Sequence, residues 1–306
     1  MTKLDMLWGN PSFLKGYWDE YFDSISLYNP YSTTDMDYQS SGKEELKLAI
    51  KELHYDHQNI DLTNKYIVVG NGATQILKGL FKIHGYIFAD PPYYSRFPVL
   101  CDIVGSTFSD NDWEMYYSSV IHTIPGNPDV GDRMLYRSPS EMFDLSYNWS
   151  SYTNNIYKCS SVRTAVFSFA KATGFASTRI GWAVIEDKKL VEQLEQFIEY
   201  DTSGVSIQAQ NKALDVLDHI NNYELSNVFE YGSNELKNRW ESIKSLKLPF
   251  EVLNHGRGMF LLAKGTIPEE LNVLKGSAMG LSDEYFRLNI GCSDETFKDF
   301  IRLYKK

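Results

Sequence analysis

The chain has 306 residues, 43% hydrophobic and 23% charged, which allows a large buried core in one or two domains. Its formal net charge of −10 argues against a protein that binds nucleic-acid phosphates, because such proteins need clustered lysines and arginines. The cysteines at 101, 159 and 292 are far apart and form no CxxC pair, so neither a metal site nor a disulfide framework is expected.

The sequence also carries an expectation about location. Residues 1–13 lack the apolar core of a signal peptide, and no stretch approaches membrane-spanning length. The spacing of the cysteines fits a reducing compartment. We therefore expect a cytoplasmic protein that does not contact a membrane.

Short apolar strands alternate with amphipathic helices through the middle of the chain. Alternation of this kind predicts an α/β fold with a mostly parallel central sheet in a large domain, residues 36–204. The predicted strands lie at 66–70, 86–90, 120–124, 163–169 and 179–185. The predicted helices lie at 73–85, around 98–104 and at 188–200, and the mixed charges near residue 43 are typical of another, solvated helix.

The pattern changes after residue 205. Long helices are predicted at 206–220 and 227–246, strands at 258–264 and 285–291, and a closing helix at 294–306. This mixture predicts a smaller α+β domain. The first 35 residues are rich in aromatics and lack periodicity, so we expect an N-terminal arm that packs against residues 205–306.

The segment SFAKATGFASTRIGWAVI (168–185) carries the strongest chemical signal. Lys171 lies between two apolar strands, where an ammonium is costly unless it is used or paired. Such a lysine can lose its proton and form a Schiff base with an aldehyde. Ser168 and Arg179 can hold a phosphate, the arginine through a bidentate fork. The alternative is a pair of ordinary surface charges in a loop, which fits the combined spacing less well.

A second candidate anion site follows the strand at 66–70. In GNGATQ, backbone N–H groups of Gly72, Ala73 and Thr74 are expected to point from the N-terminus of a helix, and the Thr74 hydroxyl adds a donor. The pattern differs from the GxGxxG nucleotide motif. The alternative interpretation is a glycine-rich turn that only caps the helix.

Together these motifs resemble a known family. The pattern S-x-x-K-x-x-G-x-x-x-x-R-x-G-W is similar to the internal-aldimine signature of fold-type I enzymes that use pyridoxal 5'-phosphate (PLP). Within that group the chain most resembles the branch of alliinases and plant tryptophan aminotransferases. The agreeing stretches, in the family's order, are LWGNPSFLKGYW (7–18), VVGNGATQ (68–75), IPGNPD (124–129) and DLSYNW (144–149).

The resemblance implies roles for residues around the cofactor. Lys171 would carry PLP as an internal aldimine, and Tyr94 would stack on the pyridine ring. Asn127 would donate to the phenolic oxygen and border the substrate. Asp144 would keep the ring nitrogen protonated, which makes the ring a better electron sink, and Tyr147 would contact the phenolic oxygen. Lys171, Asp144 and Tyr147 are thus the predicted catalytic residues.

Two further roles come from the resemblance. Arg287, in an apolar strand, would grip the substrate α-carboxylate, for which a planar guanidinium is suited. Tyr38 is the counterpart of a tyrosine that reaches the phosphate of the neighbouring subunit. Each role has a plain alternative: a loop tyrosine, an Asn-Pro turn, an aspartate at a strand end, or an arginine on a sheet edge.

The implied function is a PLP-dependent aminotransferase that moves the amino group of an L-amino acid to a 2-oxo acid and forms a homodimer. The alternative is a β-eliminating carbon–sulfur lyase of the alliinase type, and a remote alternative is a PLP-binding sensor without turnover. Side-chain specificity stays open. The aromatics near the N-terminus either line an apolar substrate site or pack in the core: Trp8, Phe13, Tyr17 and Trp18.

Overall fold

The structure is a computed structural model that describes residues 3–7, 9, 11–21, 41–127, 140–222, 227–254, 256 and 258–305. Trp8 and Tyr38 lie outside these residues, so the structure does not bear on their predicted roles. No helix in the described ranges combines the length and the apolar character that crossing a bilayer requires.

Short strands occur along the whole described chain. They are β1 (Leu4–Asp5), β2 (Tyr66–Gly70), β3 (Tyr86–Phe88), β4 (Thr107–Ser109), β5 (Ser119–Thr123), β6 (Glu141–Asp144), β7 (Thr164–Ser168), β8 (Gly181–Ile185), β9 (Glu251–Val252), β10 (Phe260–Lys264), β11 (Leu271–Asn272), β12 (Leu274–Lys275) and β13 (Tyr285–Asn289). The longer ones were predicted. The strands that were missed have two to four residues and are too short to display a period of two: β1, β4, β6, β9, β11 and β12.

The helices follow the predicted pattern closely. They are α1 (Lys15–Tyr21), α2 (Glu44–Gln58), α3 (Ala73–His84), α4 (Phe97–Val104), α5 (Phe169–Thr173), α6 (Lys188–Thr202), α7 (Ile207–Asn222), α8 (Val228–Lys244) and α9 (Asp294–Tyr304). Side-chain caps fix several starts: Asp187, Asn227 and Ser293 each accept a backbone N–H from the first turn of the helix that follows. The short helices α1 and α5 were not predicted.

Seven strands form the large central sheet, in the order β2-β8-β7-β6-β5-β3-β4. Neighbours from β7 to β4 run parallel, and only β8 is antiparallel to the strands on either side of it. The predicted α/β class with a mostly parallel sheet is therefore confirmed. Parallel strands end at a common edge, so the carboxyl ends of β2, β5, β6 and β7 meet there.

The second sheet has four antiparallel strands in the order β12-β13-β10-β9. In it Arg287 on β13 lies opposite Leu262 on β10. The N-terminal segment contacts this region: β1 pairs with β11, and the N–H of Phe13 donates to the carbonyl of Gly291. The division into residues 36–204 and the remainder stays a prediction.

The core beside the central sheet contains a buried histidine. His54 accepts the indole N–H of Trp182 through Nε2, at 3.1 Å, and its Nδ1 lies 2.7 Å from Oε1 of Gln58. Phe167 stacks on Trp182 with an interplanar angle of 13°. Burial lowers the pKa of His54 from 6.5 to about 4, so the ring is neutral in the folded protein at pH 7.

This histidine predicts a loss of stability in acid. The unfolded chain takes up the His54 proton below pH 6.5, whereas the folded chain does so only near pH 4. The free energy of unfolding should therefore fall by about 3 kcal/mol from this group between pH 7 and pH 4. Urea unfolding of the wild type and of a His54→Gln variant, at pH 7 and at pH 4, measures this change in the free energy of unfolding. The variant should lose less stability over that range, and equal losses would contradict the assignment.

Candidate active site

A cavity of about 280 Å³ opens at the carboxyl edge of the central sheet. It lies between that edge, the N-terminal segment and strand β13. Among the predicted site residues, those that line it are Ala73, Thr74, Tyr94, Asn127, Asp144, Tyr147, Ser168, Lys171, Arg179 and Arg287. The fold thus brings residues from six separate segments to one place, as parallel strand ends do in open α/β sheets.

Several hydrogen-bond donors converge at one end of the cavity. Ala73 and Thr74 begin α3, Ser168 ends β7, and Arg179 adopts a left-handed backbone conformation with φ of 55°. The Nη1 atom of Arg179 donates to the carbonyl of Ala176 at 3.0 Å. Helix N–H groups, hydroxyls and a guanidinium together favour a phosphate.

The prediction for Gly72 needs a correction. Its N–H donates to the carbonyl of Gly70 at 2.7 Å, and the residue does not line the cavity, so it is not an anion donor. The absence of a side chain at Gly72 leaves room for the Arg179 guanidinium. A Cβ at Gly72 would lie 2.5 Å from Nη2 of Arg179, and the backbone φ there is +78°. Only glycine lets the start of α3 and the arginine lie this close.

Gly181 provides similar room on the neighbouring strand. A Cβ there would come within 2.2 Å of the backbone nitrogen of Ala73. Because backbone cannot move aside cheaply, a Gly181→Ala variant should displace the first turn of α3. We expect its affinity for a phosphate-bearing cofactor to fall at least about 10-fold, the loss of one charge-assisted hydrogen bond. Equilibrium titration measures this. Gly85→Ala is the control for backbone strain alone, because φ at Gly85 is +78° but nothing lies within 4 Å of a Cβ there. Equal affinities for Gly181→Ala and wild type would contradict the expectation.

Lys171 lies on α5, which follows β7 without a loop. Its Nζ donates to the carbonyl of Gly9 and lies 5.7 Å from the centroid of the Tyr147 ring. Burial of the amine, with added repulsion from Arg287 and Arg179, lowers the pKa of Lys171 from 10.5 to about 8. The cavity therefore holds a lysine amine that is unprotonated far more often than an exposed one.

Asp144 ends β6 and is buried close to this amine. One carboxylate oxygen accepts the backbone N–H of Ser146 at 3.1 Å. Burial raises the pKa of Asp144, and the hydrogen bonds from Ser146 and the charge of Lys171 partly oppose that rise. A buried carboxylate with a raised pKa is stabilised by a cation beside it.

Two tyrosines border the amine and the carboxylate. Tyr147 is buried and packs edge-on against Tyr152 and Phe260, with ring centroids 5.3 Å apart in both pairs. Tyr94 is half-buried and packs edge-on against Phe97. Burial raises the pKa of both phenols, so both are neutral donors at pH 7.

Arg287 holds the opposite wall of the cavity. Its Nη1 donates to Oδ1 of Asn127 at 2.7 Å, and its Nη2 donates to the carbonyl of Leu7 at 2.9 Å. The guanidinium lies 4.1 Å from the centroid of the Phe260 ring. Its buried Nε has no acceptor among the described residues, and burial lowers the pKa of Arg287 to about 10. The Arg287 guanidinium is therefore a buried, oriented cation that can bind an anion.

Sequence reasoning missed several lining residues. Leu7 and Gly9 act through backbone carbonyls. Every residue has one, so the residue type gives no signal. Ser146 had a signal, since it lies inside DLSYNW (144–149), the stretch whose resemblance to the family singled out Asp144 and Tyr147. The other lining residues that were not predicted are Leu77, Ser95, Arg96, Ala170, Ala176 and Leu274.

The aromatics near the N-terminus are part of the core. Phe13, Tyr17 and Trp18 are buried, and none of them lines the cavity. The indole N–H of Trp18 donates to the carbonyl of Thr173 at 2.6 Å, behind the helix that carries Lys171. Of the two interpretations left open by the sequence, core packing therefore holds for these three residues.

Comparisons with known proteins agree with this geometry. A family model described as "Allinase" matches residues 4–249. Tryptophan aminotransferase-related protein 3 of Arabidopsis thaliana is 24% identical, and the match covers 97% of this chain and 77% of that protein. Alliin lyase of Allium cepa var. aggregatum is 25% identical over 79% of this chain and 61% of that protein. For the first three curated relatives the chain spans between 55% and 77% of their length.

Solved structures share the fold at low identity. An aminotransferase from Staphylococcus aureus superimposes with a TM-score of 0.76 at 15% identity, covering 99% of this chain and 93% of that one. An aspartate aminotransferase from Thermotoga maritima gives a TM-score of 0.71 at 16% identity, covering 98% and 90%. Identity this low establishes a common architecture and carries no substrate with it.

Proposed function

The chain belongs to the alliinase family, a PLP-dependent branch of the fold-type I aminotransferase superfamily, and we propose that it moves the amino group of an L-amino acid to a 2-oxo acid. The observation that carries the proposal is the amine of Lys171. Its pKa is lowered to about 8 in the same cavity as the buried carboxylate of Asp144 and the buried guanidinium of Arg287. An amine that can accept a proton, beside a buried carboxylate and a buried cation, suits proton transfer on a bound amino acid.

The residues present fit PLP. Thr74, Ser168 and Arg179, with the N-terminus of α3, suit its phosphate. Asp144 is a buried carboxylate suited to a protonated ring nitrogen. The unsatisfied Nε of Arg287 suits the carboxylate of a substrate held beside the cofactor. When bound, PLP supplies an aldehyde that joins to an amine and a ring that withdraws electrons from the substrate α-carbon.

The protein's part in the reaction follows from these positions. Nζ of Lys171 accepts the α-proton of the substrate and later returns it, acting as base and then as acid. Asp144 would hold a proton on the ring nitrogen of bound PLP through its negative charge. Arg287 and Asn127 hold the α-carboxylate, so that the α-proton faces the amine. Tyr94 and Tyr147 enclose the reacting groups and exclude water from them.

The lowered pKa of Lys171 predicts how cofactor capture depends on pH. At pH 7 an amine with a pKa of about 8 is about one-tenth unprotonated, against about one part in 3,000 at the ordinary value of 10.5. The rate at which cofactor-free protein captures PLP should rise with pH and level off above about pH 8. Stopped-flow absorbance measures the rate. A rate that still climbs at pH 10 would contradict the assignment.

An assay with and without a 2-oxo acid tests the proposed reaction. With an amino acid alone, we expect transfer of one amino group per site and then a halt, and added oxo acid should restore turnover. Sustained release of ammonia and pyruvate from an S-substituted cysteine, without oxo acid, would instead indicate the lyase. Cofactor binding with neither activity would indicate a sensor.

The lyase is retained as a second candidate because relatives named alliin lyase match this chain at 25% to 26% identity over 79% of its length. Both reactions begin with loss of the same α-proton, so both would use Lys171 as the base. They differ in where the electrons go afterwards. A lyase would use this electron pair to expel a β-substituent. A transaminase would use it to bind a returning proton.

Assembly and location also remain proposals. We propose a homodimer in which Tyr38 reaches the phosphate of the neighbouring subunit, and a cytoplasmic protein. Light scattering after size exclusion measures the first of these. A monomer that is fully active at nanomolar concentration would contradict it.

A further inference from the structure

Two residues of the GNGATQ turn, Asn71 and Gln75, have no role in the mechanism above. The turn joins β2 to α3 and brings Ala73 and Thr74 to the cavity. Gln75 lies in the first turn of α3, is buried, and does not line the cavity. Its side chain is therefore placed to act on a bound cofactor through its neighbours and not by contact.

The Gln75 amide uses all of its hydrogen-bonding capacity. Its Oε1 accepts the backbone N–H of Asn71 at 2.8 Å and an N–H from Nδ2 of the same residue at 3.1 Å. Its Nε2 donates to Oδ2 of Asp201 at 2.8 Å and to the hydroxyl of Thr202 at 3.0 Å. Two acceptor sites and two N–H donors are what an amide has, so no other natural side chain of this length makes the same four bonds.

The end of helix α6 is the anchor for these bonds. Asp201 and Thr202 are its last two residues, and the Thr202 hydroxyl also accepts Nδ2 of Asn71 at 3.0 Å. Asp201 forms an ion pair with Lys78, one turn further along α3, at 3.1 Å. Partial burial raises the pKa of Asp201, but the hydrogen bonds from Gln75 and Lys78 lower it by more, so its net pKa lies below the usual value. The bond from Gln75 is therefore a charge-assisted one.

We propose that Gln75 is a positioning residue for the phosphate of PLP. It ties the GNGATQ turn to the end of α6, so that the backbone N–H groups at Ala73 and Thr74 keep the arrangement that a phosphate needs. The turn contains Gly70 and Gly72, whose backbones have wide conformational freedom, and bonds from a neighbouring helix restrict that freedom. The inference rests on PLP as the cofactor and not on which reaction follows.

A comparison of PLP with pyridoxal tests the proposal, because both carry the same aldehyde and only PLP carries a phosphate. Gln75→Met keeps the length of the side chain and removes its four hydrogen bonds. Titration of cofactor-free protein, followed by absorbance, gives both affinities. Gln75→Met should bind PLP at least about 10-fold more weakly, as loss of one charge-assisted hydrogen bond to the phosphate implies, and should bind pyridoxal as the wild type does.

Two results would overturn the proposal. One is unchanged affinity of Gln75→Met for PLP. The other is an equal loss for PLP and pyridoxal, which would mean that Gln75 supports the fold in general and not the phosphate site. Inorganic phosphate gives a second readout, since it should compete with PLP less well in Gln75→Met than in the wild type. Equal competition would also count against the proposal.

Lys78→Met is the matched control. It removes the other bond between α3 and the Asp201 carboxylate but leaves the bonds to Asn71 in place. It should bind PLP with wild-type affinity. A loss equal to that in Gln75→Met would overturn the proposal, because attachment of α3 to α6 would then be what matters.

Thr202→Val is a milder variant that decides the matter if Gln75→Met does not fold. It keeps the shape of the side chain and removes a hydroxyl that both Gln75 and Asn71 contact. PLP should bind about 3-fold more weakly, as expected for one neutral hydrogen bond, with pyridoxal unchanged. Wild-type affinity for PLP in this variant would overturn the proposal.

These binding measurements separate the inference from the proposed function. An enzyme with turnover that depends on an oxo acid, but with equal losses for PLP and pyridoxal in Gln75→Met, keeps the transaminase proposal and loses the role of Gln75. A protein that shows the selective loss for PLP but no such turnover keeps the role of Gln75 and loses the transaminase proposal.

Discussion

Replacing Lys171 with alanine should lower the rate of amino-group transfer by about 10⁴-fold, the upper end of what a positioned proton-transfer group contributes. The reason is specific to this side chain. Its amine is surrounded by protein, its pKa is lowered to about 8, and it lies in the same cavity as Asp144 and Arg287. Single-turnover absorbance with a saturating amino acid measures the step directly.

Two comparisons give that result its meaning. Lys188→Ala is a control, because Lys188 is an exposed lysine at the start of α6. This variant should transfer amino groups at the wild-type rate. Adding a small amine such as methylamine to Lys171→Ala should restore part of the rate, because the missing group is a base. A Lys171→Ala variant that retains more than about one-tenth of the rate cannot be reconciled with general-base catalysis by this amine.

Replacing Asp144 with asparagine should lower kcat by about 10²- to 10³-fold with a smaller change in KM. Asparagine keeps the volume and accepts the same N–H of Ser146, but it removes the negative charge that holds the proton on the ring nitrogen. Steady-state kinetics at several pH values measure the effect. The structural cost should be small, because the native carboxylate is buried and its pKa is already raised.

The control for this substitution is Asp102→Asn, which removes an exposed charge on α4 outside the cavity. Asp144→Glu keeps the charge but moves it, so it should recover part of the lost rate. An Asp144→Asn enzyme with wild-type kcat would mean that the carboxylate only supports the end of β6.

The parts of the site that a sequence can predict are those whose residue type is unusual for the place. Lys171 between two apolar strands and Arg287 inside an apolar strand both carry a desolvation cost, and that cost is a readable signal. Asp144 was predicted from the resemblance of DLSYNW (144–149) to the family's pattern. The mostly parallel character of the central sheet could be predicted from alternating strands and helices, which require crossovers between parallel neighbours, whereas its strand order was not predicted.

The rest of the site depends on contacts that no sequence pattern predicts. The carbonyls of Leu7 and Gly9 hold Arg287 and Lys171, yet any residue has a carbonyl. Gly72 illustrates a different limit. Its position was read as a donor, but a short-range hydrogen bond to Gly70 uses its N–H, and steric room beside Arg179 is what the residue provides.

The most direct test of the account is to reduce the PLP-loaded protein with borohydride and map the modified peptide by mass spectrometry. The account predicts one pyridoxyl group per chain, attached to Nζ of Lys171. Attachment to another lysine, or cofactor that stays bound but is not fixed by reduction, would contradict it.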